Sequence, residues 1–256
     1  MLPIEEIEDF VKKETKNVVS ATHDFSHLKR VADGAVWFVK IINENKEEQD
    51  MAYIAGLLHD ILRPASEKIC HAKASAERSE QILNKFDIEK SVIDKIVLAV
   101  KDHRLPVEWN SPLHQSVYLA DKIFEQMGAF IAFRRCMYVG ECADYRDKPV
   151  LETINSHFKM RIKRIPKTEF PEKFHKLVDY QYKWLIEMAH ALDINENWAT
   201  NIGTQMYNHG KEHKTTLEDS IRNLETVSTE DEKYKQETLD YIDGKKFNFF
   251  ENLAKP

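Results

Sequence analysis

The stretch MAYIAGLLHDI, residues 51–61, is almost wholly apolar until it reaches the adjacent pair His59 and Asp60. The apolar run predicts a buried helix. A charged carboxylate at the end of a buried helix needs a strong partner to offset its desolvation. The pair presents a nitrogen and an oxygen donor side by side, which suits divalent ions such as Mn, Fe, Co or Zn. We therefore predict a metal site here; the alternative is a histidine with a capping carboxylate at a helix C-terminus.

Further histidines and an aspartate flank this stretch. HDFSH occupies residues 23–27, and LAD occupies 119–121. His71 opens the predicted helix HAKASAERSEQIL, and His103 closes SVIDKIVLAVKDH, whose apolar residues follow helical spacing. His27 and His59 are 32 positions apart, as are His71 and His103, which fits two helical hairpins that return each side chain to the same level.

Together these motifs supply enough donors for either one metal or two. By themselves, His71 and His103 would be interpreted as surface or helix-capping histidines. The candidate ligands are His27, His59, Asp60, His71, His103 and Asp121.

The chain as a whole is predicted to be all-α. It contains only 7 glycines in 256 residues and few alternating β-branched runs. Helix starts such as Ser91 and Ser111-Pro112 have the residue types of N-caps. We predict a compact helical bundle over residues 1–192, with helices near 3–19, 24–45, 47–61, 71–85, 92–103, 112–127, 128–140, 149–163 and 171–192.

The C-terminal part differs in composition. Residues 212–243 carry ten acidic against four basic side chains, so helices there are expected to be exposed and weakly anchored. The segment is followed by Phe247, Phe249 and Phe250, whose free exposure would be costly. We predict that residues 193–256 form a C-terminal helical extension that packs on the bundle or on a partner subunit.

These motifs resemble the HD-domain metal-dependent phosphohydrolase superfamily, in particular its small stand-alone members. The resemblance runs from about residue 20 to about residue 190. Its motifs are HDFSHLKRV at 23–31, LLHDI at 57–61, HAKASA at 71–76, and the segments 96–103, 119–134 and 156–158. It implies a compact all-α HD-domain bundle with additional C-terminal helices.

The resemblance also implies roles for the candidate ligands. It assigns His27, His59, Asp60 and Asp121 to a primary metal. His71 and His103 match positions that bind a second metal in binuclear members, with Asp60 bridging. The cofactor it implies is one or two divalent ions per chain, drawn from Mn, Fe, Co, Ni, Zn or Mg.

Two positions depart from the family pattern. Small members usually carry acidic residues two before and three after the position of Asp121, where this chain has Leu119 and Phe124. Glu125 would need a one-residue shift to substitute. This departure leaves open the substrate contact that the family makes from this helix.

The reaction implied is hydrolysis of a small phosphate ester or nucleotide by a metal-activated water, as in a phosphomonoesterase or phosphodiesterase. Asp60 would be catalytic as a ligand. His103 is either a ligand of the second ion or, in a mononuclear site, a substrate or proton-transfer group. Asp24 either orients His27 through a hydrogen bond or caps the helix that begins near Phe25.

Cations near the motifs are candidates for binding a phosphorylated substrate. Each of them also has a solvated or ion-paired surface role as its alternative. They are Arg63, Lys101, Arg104 and Lys122.

Two other functions use the same features. A di-iron oxygenase of the HD fold would need the same six ligands, and metal identity would distinguish it. A non-catalytic nucleotide-binding regulator would keep the fold without turnover, but degenerate members commonly lose ligands that this chain retains.

Composition limits the classes of molecule that the protein is expected to bind. A formal charge of -6 with mixed signs disfavours duplex nucleic acid, whose phosphates are gripped by concentrated Lys and Arg. No stretch approaches the apolar length of a membrane span, and three cysteines without metal spacing indicate reduced thiols. We expect a cytoplasmic protein with a small phosphorylated substrate and no membrane partner, and a homodimer as one arrangement for the aromatic C-terminal segment.

Overall fold

The computed structural model describes residues 2–18, 20–43, 45–63 and 70–255. Within these ranges the secondary structure is helical and contains no β-strand, which confirms the predicted all-α class. The chain divides into two compact units, Met1–Val18 with His23–Glu125, and Val19–Thr22 with Gln126–Pro256. This division falls elsewhere than the domain boundary expected after residue 192, and that boundary stays a prediction.

The first unit contains the motif-bearing helices. In its described residues these are α1 (Ile4–Glu14), α2 (Phe25–Ile42), α3 (Lys46–Leu58), α4 (His71–Leu83), α5 (Lys90–Lys101) and α6 (Pro112–Lys122). α2 packs against both α3 and α6, and α4 packs against α5. Side chains such as Phe38, Ile54 and Ile96 are fully buried between them. Burial of this apolar surface is the main contribution to the stability of the unit.

Side-chain caps fix the starts of two helices that carry candidate ligands. Asp24 precedes α2 and accepts a hydrogen bond from the backbone nitrogen of His27 at 3.1 Å. Ser111 precedes α6 and accepts one from the backbone nitrogen of His114 at 3.0 Å, with Pro112 as the first helical residue. Each cap satisfies a backbone donor that the first helical turn leaves without a partner.

Several predicted boundaries are off by a few residues, and α1 ends at Glu14 instead of near residue 19. α5 begins at Lys90 with Glu89 at the N-cap, so Ser91 lies inside the helix instead of capping it. α6 ends at Lys122 instead of near residue 127, and a separate 3₁₀ turn spans Phe124–Gln126. Ile123, with φ −115° and ψ −66°, is the C-cap residue of α6.

Gly56 allows α2 and α3 to approach closely. A Cβ atom added at Gly56 would lie 2.4 Å from the α-carbon of Ala32 and 2.7 Å from its backbone nitrogen. Glycine is the residue that permits such a close approach of two backbones. His27 and His59 belong to the ends of these two helices, so the spacing of the candidate ligands depends on this contact.

Gly56→Ala is expected to destabilise the first unit by about 1–3 kcal/mol, because the added methyl group meets backbone that cannot rotate away. Chemical denaturation followed by circular dichroism measures the change. Gly203→Ala is the matched control, since its Cβ would lie 3.2 Å from a Leu151 methyl carbon that can adjust. Equal free energies of unfolding for Gly56→Ala and the parent would contradict the expectation.

The second unit is also helical. Its described residues form α7 (Phe130–Glu141), α8 (Val150–Arg164), α9 (His175–Asp193), α10 (Asn197–Glu212), α11 (Leu217–Arg222), α12 (Thr229–Ile242) and α13 (Phe247–Ala254). α10 packs along α7, α8 packs against α9, and α13 contacts α9. No helix in the described part of the chain is both long and apolar enough to cross a membrane.

α12 is anchored more firmly than its acidic composition predicts. Tyr234 is fully buried, and its ring centroid lies 4.8 Å from those of Trp184 and Trp198. Its hydroxyl donates to the backbone oxygen of Trp184 at 2.9 Å. The expectation of a weakly anchored segment is wrong for this helix, because tyrosines supply the buried surface that aliphatic residues do not.

The C-terminal phenylalanines do not share one environment. Phe250 is fully buried, whereas Phe247 and Phe249 are 39 % and 41 % exposed. The Phe249 ring centroid lies 5.0 Å from that of Tyr180 on α9, and that of Phe250 lies 6.1 Å from it. α13 therefore packs on its own unit through one face.

Candidate metal centre

Six donor side chains meet where five helices of the first unit begin or end. His27 lies at the start of α2, and His59 and Asp60 directly follow α3. His71 is the first residue of α4, His103 follows α5, and Asp121 lies at the end of α6. All are buried except His71, whose side chain is 24 % exposed. The α2–α3 pair thus brings His27 close to His59, and the α4–α5 pair brings His71 close to His103. The two histidines of each pair are 32 positions apart in the sequence.

One group of donors surrounds His27 and His59. Their Nε2 atoms lie 3.1 Å apart, and Asp60 Oδ2 lies 3.8 Å from each of them. Asp121 offers a carboxylate oxygen within 4.8 Å of a donor nitrogen of both histidines. Two imidazole nitrogens and two carboxylates directed at one point are the ligand types that borderline divalent ions take.

A second group lies on the other side of the Asp60 carboxylate. Oδ1 of Asp60 lies 3.7 Å from His71 Nε2 and 3.6 Å from His103 Nε2, distances too long for hydrogen bonds. This oxygen is buried and has no hydrogen-bond partner among the described residues. A buried carboxylate oxygen left without a partner is costly. His59, Asp60 and His103 offer donor atoms that all lie within 4.8 Å of one another, so this group could also hold a metal ion.

Backbone carbonyls orient two of the imidazoles. The Nδ1 atom of His59 donates to the carbonyl oxygen of Gly56 at 2.7 Å, and that of His103 donates to Val100 at 2.6 Å. Since a carbonyl oxygen can only accept, the proton of each ring is on Nδ1. The lone pair of Nε2 is then directed into the cluster, as a metal ligand requires.

Burial and charge set the protonation states of four candidate ligands. Burial lowers the pKa of His59 to about 3 and that of His71 to about 4, so both are neutral at neutral pH. Burial acts to raise the pKa of Asp60, but Arg63 and the histidines hold it well below its usual value. The pKa of Asp121 is likewise held low against burial, chiefly by Lys122. Neutral imidazoles and ionised carboxylates are the forms that bind metal.

Two of the four predicted substrate cations contact candidate ligands. Arg63 Nη1 donates to Asp60 Oδ2 at 2.5 Å, and Lys122 Nζ donates to Asp121 Oδ2. Arg104 is exposed, and its guanidinium lies 3.7 Å from Cys70 Sγ. Lys101 is exposed at the end of α5, with no ion pair within the residues described.

Asp24 has the capping geometry that was one of its two predicted roles. The sequence did not predict that Glu125 would contact His27. Glu125 is fully buried, with Oε1 at 3.1 Å from His27 Nδ1. The available signal was its position four residues after Asp121, the spacing of neighbours on one helix face.

Comparison with known proteins agrees with this architecture. Residues 24–126 match the family model described as HD domain, a range that includes all six candidate ligands. The match of these residues to the HD-domain model confirms the resemblance seen in the sequence.

Among solved structures the chain is similar to Bacillus subtilis YpgQ in complex with ADP. The TM-score is 0.57 at 18 % sequence identity, over 77 % of this chain and 96 % of the YpgQ chain. At this identity the similarity shows a shared fold. No sequence among the curated proteins matches the chain.

Proposed function

We propose that this protein is a metal-dependent phosphohydrolase that acts on a small phosphate ester or a nucleotide. The HD domain supports a place among metal-dependent hydrolases. The observation that carries the proposal is the Asp60 carboxylate, with Oδ2 facing His27 and His59 and Oδ1 facing His71 and His103. A carboxylate between two pairs of imidazoles suits a site for two ions with one bridging ligand.

In this proposal His27, His59, Asp60 and Asp121 hold a primary ion, and His71 and His103 hold a second. Divalent ions held by these residues would supply activation of water for attack on phosphorus and neutralisation of charge on the phosphoryl oxygens. The identity of the ion is left among Mn, Fe, Co, Ni, Zn and Mg.

The cations beside the carboxylates would serve substrate binding. Arg63 and Lys122 neutralise Asp60 and Asp121 in this structure. Their positions beside the ligands would let them pair with phosphate oxygens, which guanidinium and ammonium groups bind through charge-assisted hydrogen bonds. Arg104 and Lys101 follow and precede His103 closely in the sequence, and we propose them for the outer part of a phosphorylated substrate.

A nucleotide is the substrate class we favour, because YpgQ, which shares the fold, was solved with ADP. The net charge of -6 supports a small substrate over duplex nucleic acid. A cytoplasmic location and a homodimer remain part of the proposal.

The deciding experiment is a substrate screen without oxygen. We expect the protein, supplied with Mn, Co, Ni, Mg or Fe, to release phosphate from nucleotides or sugar phosphates anaerobically. Oxygen consumption with an organic substrate and no phosphate release would replace the proposal with the di-iron oxygenase. Nucleotide binding without any turnover would replace it with the regulator.

Arg63→Ala should raise KM by about 10-fold with a smaller effect on kcat, because a charge-assisted hydrogen bond to substrate contributes about 1.5–3 kcal/mol. Steady-state kinetics with metal content measured in the same samples tests this. Arg78→Ala is the control, since Arg78 pairs with Glu14 at 2.6 Å on the surface of the same unit. An unchanged KM for Arg63→Ala would show that Arg63 does not bind the substrate.

A further inference from the structure

A cavity of about 370 Å³ lies in the second unit, between α8 and the segment that leads into it. Its volume is within the range of small-molecule sites, about 300–1,000 Å³. Tyr145, Lys148 and Pro149 line it from the segment before the helix. One side of α8 completes the lining, with Glu152, His157 and Met160 among its residues. We call this space the α8 cavity.

The wall of the α8 cavity contains a buried polar side chain that the rest of the protein does not use. His157 is 7 % exposed, and it makes no hydrogen bond to any residue that the structure describes. Its Nδ1 atom is enclosed, so Nε2 is the ring nitrogen that a molecule in the cavity can reach. Buried polar groups in proteins are nearly always hydrogen-bonded, and an exception requires an explanation.

Aromatic contacts hold the His157 ring in position. Its ring is stacked on Tyr138, with centroids 5.4 Å apart and an angle of 23° between the planes. Tyr145 meets it edge-on, at 6.0 Å between centroids. Tyr145, Pro149 and Met160 also give the cavity an apolar lining beside the imidazole. Aromatic and apolar walls with a few fixed polar groups are typical of sites for small ring-containing molecules.

The charges around His157 favour an anion. Burial lowers the pKa of His157 to about 3, and four cations act in the same direction, namely Arg135, Arg161, Arg134 and Arg164. The imidazole is therefore neutral at neutral pH, and its surroundings are positive. A neutral imidazole still has one N–H to donate. Positive surroundings raise the local concentration of anions.

Two exposed side chains of opposite charge complete the lining. Lys148 lies with Nζ 5.0 Å from the ring centroid of Tyr145, so its ammonium group is held beside the aromatic part of the cavity. Glu152 is the acidic residue of the lining. A bound anion would be attracted by Lys148 and repelled by Glu152, which gives the two positions opposite expected effects.

We propose that the α8 cavity is a binding site for a small aromatic anion, a planar ring joined to a phosphate group. The phosphate would accept hydrogen bonds from His157 Nε2 and Lys148 Nζ, and the ring would pack on Tyr145 and Pro149. Hydrogen bonds between such donors and an ionised oxygen are stronger than neutral ones. The residues that line the cavity all belong to the second unit, so this inference does not rest on the proposed metal site.

The competing interpretation is that His157 is only an aromatic residue of the packed interior. In that case phenylalanine would replace it without any effect on ligands. Binding measurements distinguish the two interpretations without an activity assay.

The test uses isothermal titration calorimetry on the full chain, with adenosine monophosphate as the probe and EDTA present to remove divalent ions. We expect binding with a Kd below ~1 mM. Adenosine alone and inorganic phosphate alone should each bind at least about 10-fold more weakly, because each lacks one of the two kinds of contact.

Three variants locate the binding. His157→Phe keeps the stacking on Tyr138 but removes Nε2, and should weaken binding by about 10- to 100-fold, the effect of losing a hydrogen bond to a charged group. Lys148→Gln should weaken it by about 2- to 5-fold, and Glu152→Gln should strengthen it by a similar factor, as expected for exposed charges. His190→Phe, at an exposed histidine of α9, is the control and should bind as the parent does.

The outcomes are separate from those of the proposed function. Binding without metal that the cavity variants change in these directions supports the site, whether or not the protein releases phosphate. Absence of binding in EDTA would overturn it. Binding that Lys148→Gln, Glu152→Gln and His157→Phe all leave unchanged would overturn it as well, and the two exposed positions keep this test valid even if His157→Phe fails to fold.

Discussion

Asp60→Asn is expected to abolish metal retention and phosphate release together. Asp60 is the residue whose two oxygens face both histidine pairs, at 3.8 Å on one side and 3.6–3.7 Å on the other. The amide keeps the shape of the side chain but removes the negative charge and one acceptor oxygen. The loss of activity should be about 10²- to 10³-fold or more, as when electrostatic stabilisation of a transition state is removed.

Elemental analysis after purification with added Mn, together with the phosphate-release assay, measures both effects. Circular dichroism should show the helical content of the parent. Asp50→Asn is the matched control, since Asp50 lies on α3, the helix that precedes Asp60, and pairs with exposed Lys46 at 2.7 Å. Full metal content and full turnover in Asp60→Asn would show that the site is assigned wrongly; His59→Ala should behave as Asp60→Asn does.

His103→Ala should lower the metal content from close to two ions per chain to close to one. His103 Nε2 faces Asp60 Oδ1, the oxygen that His71 also faces. Without His103 the second site would keep one imidazole and one carboxylate oxygen, which is a weak set for a divalent ion. Activity should fall by about 10²-fold if both ions take part in the reaction.

The number of metal ions per chain, measured by elemental mass spectrometry, tests this prediction. His190→Ala, at an exposed histidine of α9, controls for ions held nonspecifically by histidine. A parent stoichiometry of one that His103→Ala leaves unchanged would instead favour a mononuclear site, with His103 as a substrate or proton-transfer group.

The positions of the ligand side chains were accessible from sequence because local rules fix them. An apolar run ending in His59-Asp60 and histidines at the ends of predicted helices need only hairpin packing to come together. The equal spacing of the two histidine pairs fits such hairpin packing. The helical periodicity around Ile93 and Ile96 gave the class of fold for the same reason, since it depends on residues a few positions apart.

The contacts behind the ligands were not accessible in this way. His59 and His103 donate to the backbone carbonyls of Gly56 and Val100, and a contact with a backbone atom leaves no residue type in the sequence to predict it. Glu125 contacts His27 from a 3₁₀ turn, where the sequence pattern predicted a continuation of α6. The anchoring of α12 was underestimated because it depends on Tyr234 meeting Trp184, 50 positions away, and no local pattern encodes that encounter.

The distribution of donors over separate hairpins has a consequence for how ions would leave the protein. The α2–α3 hairpin supplies His27, His59 and Asp60, whereas the α4–α5 hairpin supplies His71 and His103. Local opening of α4–α5 alone would break the second set and leave the first nearly intact, and such sub-global openings cost less than complete unfolding. In the proposed two-ion site, the ions should therefore exchange with solvent at different rates: the opening of one hairpin would limit the second ion, and the unfolding of the whole unit would limit the first.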